Sequence, residues 1–333
     1  MEATSNTVGV ARSLFTGVRC QAVAAIFVES SASDEERRRS LFSGNTFTYA
    51  SRKSGRALCD LAWNLIKEAF APHQPEHAQF ELPVEKYVEI LAPLKTRFTH
   101  HPEAKLLLRQ LLEEMGCDPA QTYFDVPKLR VVTSGGYLTG GVGYAYKHHR
   151  DIWYACPPCQ VNWWVPISEV TERCAFVIHP KFFNRVVKNN SNEFDAYRWN
   201  ADGRKNAAKF INDDPRPHPH LKEQVDLDWQ VLLGRPGSLI LFSAQHLHAT
   251  VPNDSGRTRF SIDFRTVHRH DVENHLGAPV IDSAATGTTL RDFVRATDHE
   301  RFPESIVESY ETGGKQDGVL IFDPTAAVAP QKP

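Results

Sequence analysis

The sequence predicts an α+β chain in which a helical N-terminal region lies against a β-sandwich. Two observations carry this. Before residue 120, apolar residues recur at helical spacing, as in Leu58, Leu61, Leu65 and Ile66. After residue 120, the apolar runs are short and rich in β-branched and aromatic residues, with Gly, Pro, Asn and Asp between them. Many short strands separated by turn signals argue for a sandwich or barrel over a parallel α/β sheet.

Residues 1–50 show no clear period, and SASDEERRRS reads as a solvated loop or the start of a helix. A helix is predicted over 54–70, a second over 83–97 and a third over 102–116. Pro102 suits a first helical turn, and Gly116 suits a stop. The strand candidates are YFDVPKLRVVT, QVNWWVPI, CAFVIHP, WQVLL, SLILFS and TRFSIDFRTV. Between them, 181–226 is polar (NNSN, ADGRKN, DDPRPHPH) and reads as an insertion or lid. The tail from Asp271 carries helix candidates near 288–295 and 303–311 and ends in a frayed AAVAPQKP. The organisation expected is a helical region over 1–120, a catalytic β core over 121–270 and a tail over 271–333, forming one structural domain without repeats. With 333 residues, 41% of them hydrophobic, the chain can bury one large core or two smaller ones.

A formal net charge of -2 gives no global pull toward nucleic acid or anionic membrane. The best N-terminal apolar run, Ala22 to Val28, is too short to span a bilayer, and no later stretch does better. No basic n-region precedes it, and the six cysteines form no dense framework. A soluble, cytoplasmic protein acting on a small molecule is expected, without nucleic-acid or membrane partners; a homodimer is left open.

The chemistry-bearing pattern starts at KHHRDIW. A non-haem Fe(II) oxygenase needs two histidines and one carboxylate on one face of the metal, leaving positions open. His149 and Asp151 stand at i and i+2, the spacing that puts two side chains on one side of a strand. Alone this triplet is a weak signal, because the chain has fifteen histidines. His101-Pro102-Glu103 is a decoy at a helix start, and His218/His220, His246/His248 and His268/His270 are further ones. Downstream, GRPGSLILFSAQHLHATVPNDSGRTRFSIDFR offers His248 as third ligand and Arg259 eleven residues later. Strand parity puts Arg259, Ser261, Asp263 and Arg265 on one face, with Phe260, Ile262 and Phe264 on the other. An inward arginine is costly without an anion, and a dicarboxylate cosubstrate would satisfy it with a two-pronged contact. An internal salt bridge from Arg259 to Asp263 or another acid is the competing reading.

In this order, His149-x-Asp151, His248 and Arg259 resemble the Fe(II)/2-oxoglutarate-dependent oxygenases, in particular the phytanoyl-CoA dioxygenase-like branch. The resemblance covers roughly residues 125–267. It implies a double-stranded β-helix (jelly roll, cupin-like) with Fe(II) on His149, Asp151 and His248. It further implies 2-oxoglutarate reaching from the metal to Arg259, helped by Ser261 or Thr250, and O2 as co-substrate. Trp164 matches a tryptophan near the cosubstrate in that family, and Asn162 shares its strand face. The chain departs from the family pattern at Cys174-Ala175, where a glycine is usual, and at His179-Pro180, which lacks a preceding Gly-Ser. Since halogenating members replace the carboxylate by a small residue, Asp151 implies hydroxylation, desaturation or ring formation.

For the substrate, Tyr144, Tyr146, Lys147, Trp153, Gln160 and Arg265 are the candidate contacts, each weighed against simple packing. The polar lining suggests a polar small molecule, as in a biosynthetic pathway. Cys156-Pro-Pro-Cys159 lacks the second pair a zinc ribbon needs and the strand-to-helix setting of a redox dithiol. Two other readings remain at this level: a cupin-type metal enzyme without 2-oxoglutarate, and a non-catalytic jelly-roll binding module.

Overall fold

The computed structural model describes residues 24–144, 147–203, 206–228 and 230–313. Four helices precede the main strands: α1 (Asp34–Phe42), α2 (Lys53–Phe70), α3 (Val84–Thr99) and α4 (Pro102–Glu114). The charged run that gave no clear period is α1. Ser33 caps it, accepting from the Glu36 backbone N–H while Glu36 answers the Ser33 N–H. In α2 the apolar stripe buries Leu58, Cys59, Ala62, Leu65 and Ile66. Pro102 does open α4, and Gly116 follows its end at φ +75°, a conformation that glycine adopts without strain.

Eleven strands follow in chain order: β1 (Ile26–Val28), β2 (Thr46–Tyr49), β3 (Thr122–Phe124), β4 (Lys128–Val132), β5 (Val161–Pro166), β6 (Phe176–Ile178), β7 (Gln230–Leu232), β8 (Leu239–Ser243), β9 (His248–Thr250), β10 (Arg259–His268) and β11 (Val294–Arg295). The large sheet runs β1-β2-β8-β5-β10-β3-β11, with β4 also on β10, and the small sheet runs β7-β6-β9. Only β1 and β2 pair in parallel among the pairings of the large sheet; the rest are antiparallel. Residues 24–50 therefore supply two strands as well as a helix. Three- and four-residue strands are too short to show a period, which is why they were not read.

Strand parity sorts the large sheet into two faces. Phe260, Ile262 and Phe264 of β10, Trp163 and Val165 of β5, and Leu239 and Leu241 of β8 share a core with α2, α3 and α4. The alternate residues Trp164, Ile240 and Phe242 pack instead with Phe176 and Leu232 of the small sheet. Helices thus cover one face of the large sheet, and the small sheet covers part of the other. The odd-numbered residues of β10, with their charges, face the gap between the sheets.

The tail departs from expectation. The helix anticipated over 288–295 is a 3-10 turn, Leu290–Asp292, running into β11, where Val294 pairs with Phe124. Burial of Phe293 and Val294 favours that pairing over helix formation. The second tail helix is only Glu304–Glu308. Among the described residues, no helix is long and apolar enough to cross a membrane.

The polar segment 181–226 contains little regular structure: 3-10 turns and a helical turn, Ala196–Arg198, that continues as a π-helical turn, Trp199–Gly203. Arg150 ties this segment down. Its buried guanidinium donates to the carbonyls of Gln245, Phe182 and Arg185 and pairs with Asp282 at 3.2 Å. Asp282 also accepts from the Trp153 indole N–H at 2.8 Å. Removing one member of a buried pair strands the other, so Arg150→Met should lower the unfolding free energy by about 3 kcal/mol. Urea unfolding measures this, and limited proteolysis should show earlier cutting within 181–226.

Candidate metal centre

His149 and His248 face each other across an isolated antiparallel bridge. The His149 N–H donates to the His248 carbonyl at 3.0 Å, and the reverse bond is 2.9 Å. Asp151 does not continue this extended segment. It opens a 3-10 turn, Asp151–Tyr154, so the expected i, i+2 strand arrangement is replaced by a bridge followed by a turn. The side chains still converge. Asp151 Oδ1 lies 3.3 Å from His149 Nε2 and 3.6 Å from His248 Nε2. One ligand atom from each residue falls within 4.8 Å of the others, all three residues being buried. Neighbouring ligands on a metal with bonds of about 2.1 Å sit roughly 3 Å apart, so the donor set fits one divalent ion after small adjustment.

The imidazoles are held for this task. His149 Nδ1 meets the Lys147 carbonyl at 2.7 Å, and His248 Nδ1 meets the His246 carbonyl at 2.8 Å. Each carbonyl accepts from Nδ1–H, which orients the ring and turns Nε2, the nitrogen that would bind a metal, toward Asp151. Burial, reinforced by the adjacent His149, pushes the His248 pKa down to about 3 and keeps the ring neutral. Phe176 and Phe242 flank the His248 ring at 5.3 and 5.0 Å between centroids.

Asp151 has two different oxygens. Oδ1 faces the histidines. Oδ2 is met by the Gln160 side-chain amide at 3.4 Å and by Arg265 Nε at 3.6 Å. Burial alone would raise this carboxyl, but His149, Arg265 and His248 hold it well below the usual carboxylate range. Arg265 also pairs with Asp263 at 3.2 Å and Asp125 at 3.4 Å. Three carboxylates already answer its charge, and through Oδ2 it buttresses Asp151 from the cavity wall.

The three ligands line a cavity of about 650 Å³ between the sheets. Asn162, Trp164, Thr250, Arg259, Tyr144, Gln160 and Arg265 also line it. Arg259 is the telling member. Its Nη1 donates to the Cys174 carbonyl at 2.8 Å, and its guanidinium lies over the Trp164 ring at 5.4 Å. No ion pair satisfies it among the described residues, and Nε has no hydrogen-bond partner. The internal salt bridge to Asp263 is not made, because Asp263 is taken by Arg130 through two 2.8 Å bonds and by Arg265. Burial pushes Arg259 down to about 10, still above neutral pH, so it is a buried cation awaiting an anion. The Asn162 amide Nδ2 also lacks a partner.

Other sequence candidates fall elsewhere. Trp153 is fully buried with Ile152, Cys156 and Phe182, donates its indole N–H to Asp282 and does not line the cavity. Lys147 is exposed, and its contribution is the carbonyl that orients His149. Ser261 is buried between Arg130 and Pro166 of the neighbouring strands and does not reach the cavity, though its hydroxyl is unpartnered. Tyr144 stacks on His218 at 3.7 Å. Tyr146 lies outside the described residues. Cys156 and Cys159 are buried free thiols in the turn leading to β5, not a zinc half-site. The decoy His101 precedes α4, with Glu103 in its first turn.

Sequence reasoning missed Lys95 on α3, Arg130 on β4, Trp199 and Arg216 in the polar segment, and Asp292 in the tail, all on the cavity wall. No local motif marks them; only the fold brings them together.

No family model and no curated protein matches the chain. Solved structures similar to it include the non-heme monooxygenase ThoJ in its apo form, at 14% identity, 78% of this chain, 87% of that chain and TM-score 0.37. The non-heme alpha ketoglutarate dependent epimerase SnoN from nogalamycin biosynthesis aligns at 11% identity over 71% of this chain and 84% of that one, TM-score 0.36. EvdO2 from Micromonospora carbonacea var. aurantiaca aligns at 14% identity over 56% of this chain, TM-score 0.33, and the chain spans 65% of its length. Likenesses this distant carry no argument about activity, and the site stands on its own geometry.

Arg265→Met should weaken Mn(II) or Fe(II) binding by about tenfold to a hundredfold, the range for loss of a group that orients a ligand. Anaerobic titration of the metal measures it; His149→Ala in the same assay should abolish binding.

Proposed function

We propose that the protein is a non-haem Fe(II)/2-oxoglutarate-dependent oxygenase with a double-stranded β-helix core. It would oxidise a polar small molecule by hydroxylation, desaturation or ring closure. The observation that carries this reading is the pairing, in one cavity, of the His149–Asp151–His248 cluster with the buried, carboxylate-free guanidinium of Arg259. Iron and 2-oxoglutarate, when bound, supply oxidising power by coupling O2 reduction and loss of CO2 to oxidation of the substrate, leaving succinate. In hydroxylation, one oxygen atom of O2 enters succinate and the other enters the product.

The protein's own residues bind and orient. His149, Asp151 Oδ1 and His248 would hold the ion, and three protein ligands would leave it positions for cosubstrate and oxygen. Arg259 would meet the distal carboxylate of the cosubstrate, its guanidinium lying over the Trp164 ring at 5.4 Å. Thr250 and the free Asn162 amide offer polar contacts along the same wall. Phe176 and Phe242 keep water from the His248 side. Asp151 itself argues against halogenation, since a bound carboxylate occupies the position a halide would need.

Arg259→Ala should weaken 2-oxoglutarate binding at least tenfold while leaving metal affinity within about threefold. Anaerobic titration of each ligand separates the two; an unchanged 2-oxoglutarate affinity would remove Arg259 from the cosubstrate site. Asp151→Gly should abolish 2-oxoglutarate-dependent succinate formation, and sustained turnover in that variant would place the carboxylate ligand elsewhere.

A further inference from the structure

The wall of the cavity formed by α3, β4 and the polar segment holds a second basic group without an acid partner among the described residues. Lys95 lines the cavity, and its ammonium donates to the Val142 carbonyl at 2.6 Å. No carboxylate pairs with it among the described residues. The neighbouring cations are answered: Arg130 by Asp263, Arg216 by Asp214, and Lys128 by Asp125. The lone acid acting on Lys95, Asp263, is already shared between Arg130 and Arg265. We propose that Lys95, flanked by Arg130 and Arg216, is the anchor of an anion subsite that selects substrates bearing a carboxylate or phosphate.

Three features support the assignment. A charged lysine facing a partly dry cavity without an acid is costly, so the group gives up its proton unless an anion arrives with the ligand. Burial, and then the positive charge of Arg130, draw the Lys95 pKa down to about 7, so near neutral pH the amine is only partly charged and an arriving anion would hold its proton in place. The same cavity has aromatic lining: Tyr144, stacked on His218, and Trp199, with Arg216 over its ring at 5.2 Å. A planar, acidic ligand would find both a face to stack on and a charge to meet. Arg259 and Lys95 then divide the work, one for the cosubstrate's free carboxylate and one for the substrate.

This subsite rests on the reading that the cavity takes substrate beside 2-oxoglutarate. The test uses the full chain, loaded anaerobically with Mn(II) and saturating 2-oxoglutarate so that Arg259 is occupied. The probes are 2-naphthoate, 2-naphthyl phosphate and the neutral 2-naphthamide, followed by quenching of tryptophan fluorescence. At least one of the two anions should bind roughly tenfold more tightly than the amide, the size of one charge-assisted contact. Whichever anion binds more tightly identifies the source of the charge. Lys95→Met should remove the preference and Lys95→Arg should keep it, with 2-oxoglutarate affinity unchanged in both. Equal binding of anions and amide, no binding of any probe, or a preference that survives Lys95→Met overturns the subsite. Failure of 2-oxoglutarate to bind in the same samples would instead count against the oxygenase reading, and the Lys95→Met comparison would still report on the subsite.

Discussion

The rest of this structure depends on holding one carboxylate and two imidazoles against each other in a dry space. Asp151 Oδ1 faces both Nε2 atoms within 3.6 Å. In a dry space the remaining polar atoms of these three side chains have to be held. That is what the neighbouring residues do: two backbone carbonyls take the Nδ1 protons, and Gln160 with Arg265 takes the second carboxylate oxygen. The bridge between His149 and His248 then locks the two histidine backbones to one another. A preorganised donor set costs little reorganisation when an ion arrives.

The sheet that carries Arg265 links this centre to the charges of the cavity. From β10, odd-numbered residues face inward, so Arg259, Asp263 and Arg265 stand in one row. Arg265 and Arg130 consume Asp263, and that leaves Arg259 without an internal acid. The same distribution leaves Lys95 unanswered on the adjacent wall. The pattern of satisfied and unsatisfied cations is therefore one network, and the positions where it fails to close are those where ligands of opposite charge are expected.

How much of this was legible in the sequence follows from which interactions are local. Helices α2 to α4 were readable because their burial stripes, Pro102 and Gly116 are local signals. The two faces of β10 were readable because strand parity is obligatory. Strands β1 and β2 were not, since three or four residues show no period. Trp153 packs behind the turn at Asp151, and no local signal marks that turn. Arg265 stands on the face that strand parity gives it, but its acids are Asp125, Asp151 and Asp263, and two of those lie on other segments. Lys95, Trp199 and Arg216 come to the cavity from a helix and an irregular segment, and only long-range packing brings them there.

The most direct test of the account is equilibrium binding of 2-oxoglutarate under anaerobic conditions, with and without Fe(II). The account gives the cosubstrate two anchors, the metal on His149, Asp151 and His248 and the guanidinium of Arg259. Tight binding should therefore require Fe(II) and should be lost when the metal is removed. Equal affinity in metal-free protein, or no binding with Fe(II) present, would contradict it.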